Sequence, residues 1–191
     1  MTFPSQYRDQ LVRAIDSIDV DKVDQAIQLL AQARDHGRRI FVFGNGGSAC
    51  NASHFAMEMV KGASYGRPAR FRILALNESA PTITAYSNDV SFECIFAEQL
   101  KNFAEPGDVL VALSSSGNSP NVLRAVEYGN SIGCRTIGLT GYEGGKLGPL
   151  VELEIRAAGH HTGRAEDVHM VVLHMICYYF MQEERSHTTT P

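Results

Sequence analysis

The four cysteines of this 191-residue chain, Cys50, Cys94, Cys134 and Cys177, form no C-x-x-C pair. Neither a disulfide framework nor a thiolate zinc knot is indicated, and reduced, buried thiols are expected. An excess of positive charge is also missing. Seventeen Lys and Arg face 21 Asp and Glu, a formal net charge of -4, which gives no reason to expect nucleic acid or an anionic membrane as a partner. No uninterrupted apolar stretch approaches the roughly 18 residues of a membrane span. The segment 1–10 is polar and lacks the apolar core of a signal sequence, so a cytoplasmic protein is the expectation. Internal repeats and low-complexity linkers are absent too; only the tail RSHTTTP reads as disordered.

What is present, 44% hydrophobic and 20% charged residues, suits one globular domain with a real core. It divides into N-terminal helices over 1–36, an α/β core with a terminal helix over 37–185, and the tail 186–191. Leu11, Ile15 and Ile18, then Val23, Ile27, Leu30 and Ala33, recur at helical spacing. They predict a helical hairpin broken near Ser17-Ile18-Asp19, with Asp19 or Asp21 as a cap and Gly37 as the stop. Beyond it, short apolar runs at 40–43, 71–76, 109–113, 136–139 and 153–155 read as strands. Helical stretches lie at 49–61, 79–86, 92–103, 121–132 and 165–182. This alternation predicts a doubly wound α/β domain of the flavodoxin-like kind, a mostly parallel five-stranded sheet flanked by helices. Ligands of such sheets sit at the carboxyl ends of strands, where strand order reverses. The last helix is apolar on most sides from Val168 to Phe180. Such a helix is buried inside its own domain or against another subunit, and an oligomer is favoured.

Two strand ends carry candidate sites. Gly44-Asn45-Gly46-Gly47-Ser48-Ala49 fits the dinucleotide pattern G-x-G-x-x-A, but the acidic residue expected about 20 residues on is missing. That region reads SYGRPARFRI, and Glu78 comes too late; no nucleotide cofactor is expected. A local role suits the turn better: exposed backbone N–H groups at a helix start, with Asn45 and Ser48 adding hydrogen bonds to ligand hydroxyls. The plain alternative is a tight strand-to-helix turn with Ser48 as a cap. The second strand end is Ser114-Ser115-Ser116-Gly117-Asn118-Ser119 before Pro120. Four hydroxyls and a row of N–H groups without Lys or Arg make a neutral anion pocket, suited to a phosphate monoester. A P-loop would need Gly-Lys-Ser/Thr after the glycines, and none is there. The plain alternative is a polar loop with a serine cap.

His54 and Glu58 are four residues apart, on one helix face. The pair could hold a divalent metal, supply a base with an orienting partner, or be an ordinary surface pair. The last helix adds Glu166, Asp167, His169 and His174. His174 lies among apolar residues, where a satisfied core histidine is the plain reading. Eight residues of helix rise about 12 Å, so Glu166 and His174 of one straight helix could hardly share an ion. Either the helix starts after Glu166, or the site combines residues of different subunits.

FGNGGSA with its following His and Glu, then LSSSGNS, resembles the sugar isomerase (SIS) domain family, whose members bind phosphosugars. With YSNDVSFECIF and the terminal helix bearing two histidines, the chain is similar to the phosphoheptose isomerases within that family, over nearly its whole length. The resemblance implies an aldose–ketose isomerase converting sedoheptulose 7-phosphate to D-glycero-D-manno-heptose 7-phosphate in heptose biosynthesis, as a homotetramer with one zinc per subunit. It puts His54, Glu58 and His174 on zinc-ligand positions, with Glu58 and His174 also as the acid/base pair. Asn45, Gly46, Gly47, Asn88, Asp89, Ser114, Ser115, Ser116 and Ser119 fall on substrate-binding positions. Glu166 stands where the family usually has Gln at a position serving metal and substrate. A carboxylate there binds metal more strongly by charge but cannot donate to a sugar hydroxyl unless protonated. Ser115 replaces the more usual Thr. One of Glu58 and His174 would move the carbon proton through an enediolate and the other the oxygen proton. Two alternatives are a non-catalytic SIS protein of the replication-initiator-binding type and an isomerase of another phosphosugar.

Overall fold

In the computed structural model residues 2–183 are described. The tail expected at 186–191, and the last two residues assigned to the core, lie outside them. The chain opens with α1 (Phe3–Asp16) and α2 (Val20–Asp35). The break between them is where the sequence puts it. Asp19 is the N-cap of α2, and its carboxylate accepts from the Lys22 N–H at 3.2 Å, satisfying one of the four unpaired donors of the first turn. Gly37, at φ +66, turns the chain out of the helix.

The rest alternates: β1 (Arg39–Gly44), α3 (Gly47–Met57), β2 (Arg72–Ala75), α4 (Ala80–Asp89), α5 (Ile95–Phe103), β3 (Val109–Ser114), α6 (Pro120–Ser131), β4 (Arg135–Thr140), β5 (Leu153–Arg156) and α7 (Thr162–Tyr178). Short π-helical turns extend α3 over Glu58–Gly62 and α7 over Tyr179–Glu183, and a 3-10 turn, Phe92–Cys94, precedes α5. The sheet is fully parallel, in the order β2-β1-β3-β4-β5. The strands alternate their side chains between two cores. Ile40 and Val42 with Val109, Val111 and Leu113 pack under α1, α2, α3 and α7. Phe41 and Phe43 with Leu110 and Ala112 pack under α5 and α6. Burial on both faces explains why the strands read as continuous apolar runs rather than alternating ones.

At the amino end of the sheet, Asp108 ties β1 to β3. Its buried carboxylate accepts from the Arg39 N–H at 2.9 Å, the Glu105 N–H at 2.9 Å and Arg39 Nε at 3.2 Å. A buried charge is tolerated when paired and hydrogen-bonded in this way. Phe43, fully buried with its ring 5.2 Å from that of Phe96, closes the second core just under the carboxyl end. Phe43→Ala is expected to lower the unfolding free energy by about 3–5 kcal/mol in chemical denaturation; a loss below about 1 kcal/mol would mean the core collapses around the void.

Candidate active site

The two loops read as candidate sites leave neighbouring strands. Gly44, the last residue of β1, pairs with Leu113 of β3, and β1 and β3 flank the point where strand order reverses. Gly46 has φ 56 and ψ -123 and is the N-cap of α3, with no side chain closing that helix's first turn. A residue with a Cβ adopts this conformation only under strain. Ser48 is buried inside the first turn, so the reading of Ser48 as the cap does not hold. Ser119 is the N-cap of α6, yet its side chain makes no capping bond. Its Oγ lies 3.2 Å from Ser114 Oγ. Ser115 Oγ is buried without a partner, which for a native hydroxyl marks a place where a ligand or water is expected. Ser116 Oγ accepts from the Asn118 N–H at 3.2 Å. The uncapped start of α6 and this cluster of hydroxyls have the chemistry of a neutral anion cradle.

A polar clip joins the two loops. Asn45 Nδ2 donates to Asn121 Oδ1 at 2.8 Å, and Asn121 Nδ2 donates back to Asn45 Oδ1 at 2.9 Å. The sequence reading missed Asn121, whose only signal is an Asn directly after the proline that opens α6. Asn88 and Asp89 end α4, are exposed, and bond to each other at 2.8 Å; their hydrogen bond goes to neither loop.

Behind the glycine turn, α3 and α7 run side by side. His54 Nε2 and His174 Nε2 stand 3.1 Å apart, and Glu58 Oε1 is 3.8 Å from His54 Nε2. The two ring nitrogens face each other at hydrogen-bonding distance, with donor and acceptor roles set by the tautomers. The three side chains are part-exposed on the outer side of the helix pair, a geometry open to a substrate. Cys177 lies beneath them, its thiol pushed up to about 12 by burial and by the Glu58 carboxylate; it stays protonated.

Glu166 is inside α7, which starts at Thr162 with His161 Nδ1 accepting from the Arg164 N–H at 3.3 Å. The possibility that the helix begins after Glu166 is therefore excluded. Its carboxylate lies directly over Gly47, where any Cβ would collide with it, and Asn51 Nδ2 holds its carbonyl at 2.8 Å. Burial, and then the Asp167 charge, raise the Glu166 carboxyl above the usual range. His174 is about 12 Å further along the axis. Within one chain the expected four-ligand set of His54, Glu58, Glu166 and His174 is not brought together. Among the described residues no three His, Cys, Asp or Glu come close enough to hold an ion. The histidine pair does suit zinc, since two nitrogens at 2.0–2.1 Å from a tetrahedral ion stand about 3.3 Å apart.

His169 is fully buried, and its Nε2 donates to the Thr140 carbonyl at 2.9 Å while Nδ1 has no partner. Burial pushes it down to about 4. Thr140 ends β4, and the loop that follows props the serine cradle. The Gly141 N–H donates to Ser115 O at 3.0 Å, the Leu147 N–H to Gly117 O at 2.9 Å, and the Lys146 N–H to Asn118 Oδ1 at 3.2 Å. Glu154 of β5 anchors that loop, accepting from Thr140 Oγ1 at 2.6 Å and from Arg156 Nη2 at 2.8 Å.

Comparison with known proteins gives a consistent answer. Residues 6–141 match the model of the SIS domain family. The chain is 38% identical to the phosphoheptose isomerase of Syntrophotalea carbinolica over 174 residues, 90% of this chain and 88% of that protein. It is 39% identical to the phosphoheptose isomerase of Geotalea daltonii over 159 residues, 82% of this chain and 81% of that one. Among solved structures, the phosphoheptose isomerase of Neisseria gonorrhoeae superposes with a TM-score of 0.85 at 31% identity, covering 92% of this chain and 95% of its own.

Two expectations follow from the geometry alone. His169 has its proton affinity depressed on folding, so its stabilising contribution is present above pH 6.5 and is lost as pH falls to about 4. That loss is about 3 kcal/mol, and His169→Gln should flatten this limb in denaturation series across pH. An unchanged limb would mean the imidazole charges without cost. Gly117, at φ +64, faces the Gly144 carbonyl with no space for a Cβ. Gly117→Ala is expected to lower stability by about 1–3 kcal/mol and to weaken the binding of inorganic phosphate, measured by calorimetry.

Proposed function

The chain belongs to the SIS domain family and, within it, to the phosphoheptose isomerases; from that premise we propose that it interconverts sedoheptulose 7-phosphate and D-glycero-D-manno-heptose 7-phosphate. The observation that carries the reading is the approach of His174 on α7 to His54 at 3.1 Å, with Glu58 beside them, on the same helix whose start forms the glycine turn. An aldose–ketose isomerase needs one group for the carbon proton and one for the oxygen proton. Glu58 takes the proton from the carbon next to the carbonyl and returns it to the neighbouring carbon. His174, with its ring orientation set by His54, moves the proton between the two oxygens. The serine loop binds the phosphate, and that remote binding energy aligns the reacting end.

His54 and His174 are the pair that would hold zinc; within one chain neither Glu58 nor Glu166 completes a three-ligand set with them. A zinc ion, when bound, polarises the substrate carbonyl. Gly47 and Glu58 are about 16 Å apart along the α3 axis, so one chain's acid–base set stands well away from its own cradle. A homotetramer that sets one subunit's His and Glu against another's cradle reconciles the two. Exposed Val20, Met175 and Tyr178, around a groove between α2 and α7, support such an assembly. We place the enzyme in the cytoplasm and its product in the heptose of cell-surface glycans such as lipopolysaccharide.

The test is turnover of sedoheptulose 7-phosphate by the purified protein, chelated and then resupplied with zinc, with direct detection of the aldose. Product formation is the expected result. Glu58→Gln and His174→Ala should each lower kcat by about 10²–10⁴-fold with the circular dichroism spectrum unchanged. Wild-type-like turnover in either variant would refute the proton assignments. Glu166, a carboxylate that when ionised accepts from a sugar hydroxyl but cannot donate to it, makes a different phosphosugar the second reading. A panel of ketose and aldose phosphates assayed alongside decides between the two.

A further inference from the structure

We propose that Asn121, which no expectation from the sequence included, is a positioning residue that holds the Asn45 amide in the one orientation able to read a sugar hydroxyl. The inference rests on the isomerase reading above. Asn121 is 1% exposed and opens α6 directly behind the serine cradle. Its Oδ1 accepts from the Val122 N–H at 2.9 Å. A backbone N–H can only donate, so that atom must be the oxygen, and the Asn121 amide has no freedom to flip. The assignment then passes to its neighbour. Asn121 Oδ1 also receives Asn45 Nδ2 at 2.8 Å, and Asn121 Nδ2 donates to Asn45 Oδ1 at 2.9 Å, so the Asn45 amide is fixed as well.

An Asn side chain carries two N–H donors and one oxygen with two lone pairs. The clip consumes one donor and one lone pair of Asn45. One N–H and one lone pair remain, on opposite flanks of a half-buried group at the edge of the glycine turn. The clip thereby decides which flank of the amide donates to a hydroxyl and which accepts from one. An unclipped Asn45 would present either edge of its amide, and the productive orientation would cost rotamer freedom on every binding event. The clip also joins the turn after β1 to the helix after β3, so the sugar-reading amide is referenced to the phosphate cradle and not merely to its own loop.

The experiment is a double-mutant cycle on kcat/KM for sedoheptulose 7-phosphate with Asn45→Ala, Asn121→Ala and the double variant, alongside the inhibition constant of inorganic phosphate. Asn121→Ala should lower kcat/KM about tenfold or more, leave phosphate inhibition unchanged, and cost nothing further in the Asn45→Ala background. Additive losses, or a parallel loss of phosphate affinity, would make Asn121 a brace of the serine loop and overturn the proposal, as would wild-type kcat/KM in Asn121→Ala. If Asn121→Ala does not fold, Asn121→Asp carries the same cycle, since its carboxylate keeps the Val122 bond and loses the donor to Asn45. A wild type that neither turns over nor binds the sugar phosphate in calorimetry would remove the isomerase reading itself and this inference with it. Turnover with additive losses removes only the inference.

Discussion

A side chain at Gly44 would place its Cβ 2.7 Å from the Leu113 carbonyl and 2.8 Å from Ser48 Cβ, closer than folded chains allow. The bare backbone at this point lets β1 end flush against β3 while α3 starts directly over both. Everything that resembles a site follows from that approach. The glycine turn and the serine loop leave adjacent strands at the same height, and although α3 and α6 cover opposite faces of the sheet, Asn45 and Asn121 bond across their starts. Asn77 secures the arrangement from the other flank, its amide bonding both the carbonyl and the N–H of Gly44 at 2.6 and 3.3 Å. The strand order supplies the crevice, and the missing Cβ makes it shallow enough for two loops to share a ligand.

The serine cradle is rigid for a second reason. Hydroxyls aimed at an anion help only if they do not have to be ordered when it arrives. Here the ordering is done beneath the loop by buried polar groups that touch no ligand. His169 holds the end of β4, Thr140 bonds Glu154, and Glu154 grips the loop whose N–H groups reach the carbonyls of Ser115 and Gly117. For Glu154 the largest effect, burial, pushes its carboxyl up, but the bonds from Arg156 and Thr140 together outweigh it and hold it below the usual range. It is ionised throughout the neutral region, as an anchor for glycine-rich backbone should be. The absence of Lys and Arg from the cradle then costs little, because preorganised N–H groups take the place of a mobile cation.

Much of this was legible in the sequence, and what was not has a physical cause. The strands could be read because burial on both faces makes them uninterrupted apolar runs, and Asp19 and Gly37 could be read because caps follow local rules. The start of α3 was placed at Ala49 and not Gly47, since glycines read as turn even when they lie within the first turn of a helix. The helix was legible on to residue 61, and only its change to a π-helical turn past Met57 had no sequence signal. Gly-Gly and a serine run announce their loops by composition. Asn121, Thr140 and Glu154 do not, because their roles depend on residues brought near only by the crossovers. The histidine of the last helix divides the same way: His174 and His169 look equally apolar in context, and only the packing of α3 on α7 sends one to His54 and the other to a buried carbonyl.

The position of Glu166 gives the site a direction. Its carboxylate sits over Gly47, at the positive end of α3 and at the mouth of the glycine turn, where a ligand anion would otherwise be drawn. A phosphate placed there would face it at short range with no cation between them, a like-charge contact that the surrounding burial makes more costly. Among the described residues, Ser114 and Ser119 bond each other, Ser116 Oγ accepts a backbone N–H, and Ser115 Oγ has no partner. In the reading proposed above, this sends the phosphate end of a sugar phosphate to the serine loop and the hydroxyl-bearing end to the glycine turn. The Glu166 carboxylate makes the two loops electrostatically unequal, which in that reading gives a substrate charged at one end and neutral at the other a single sense of entry.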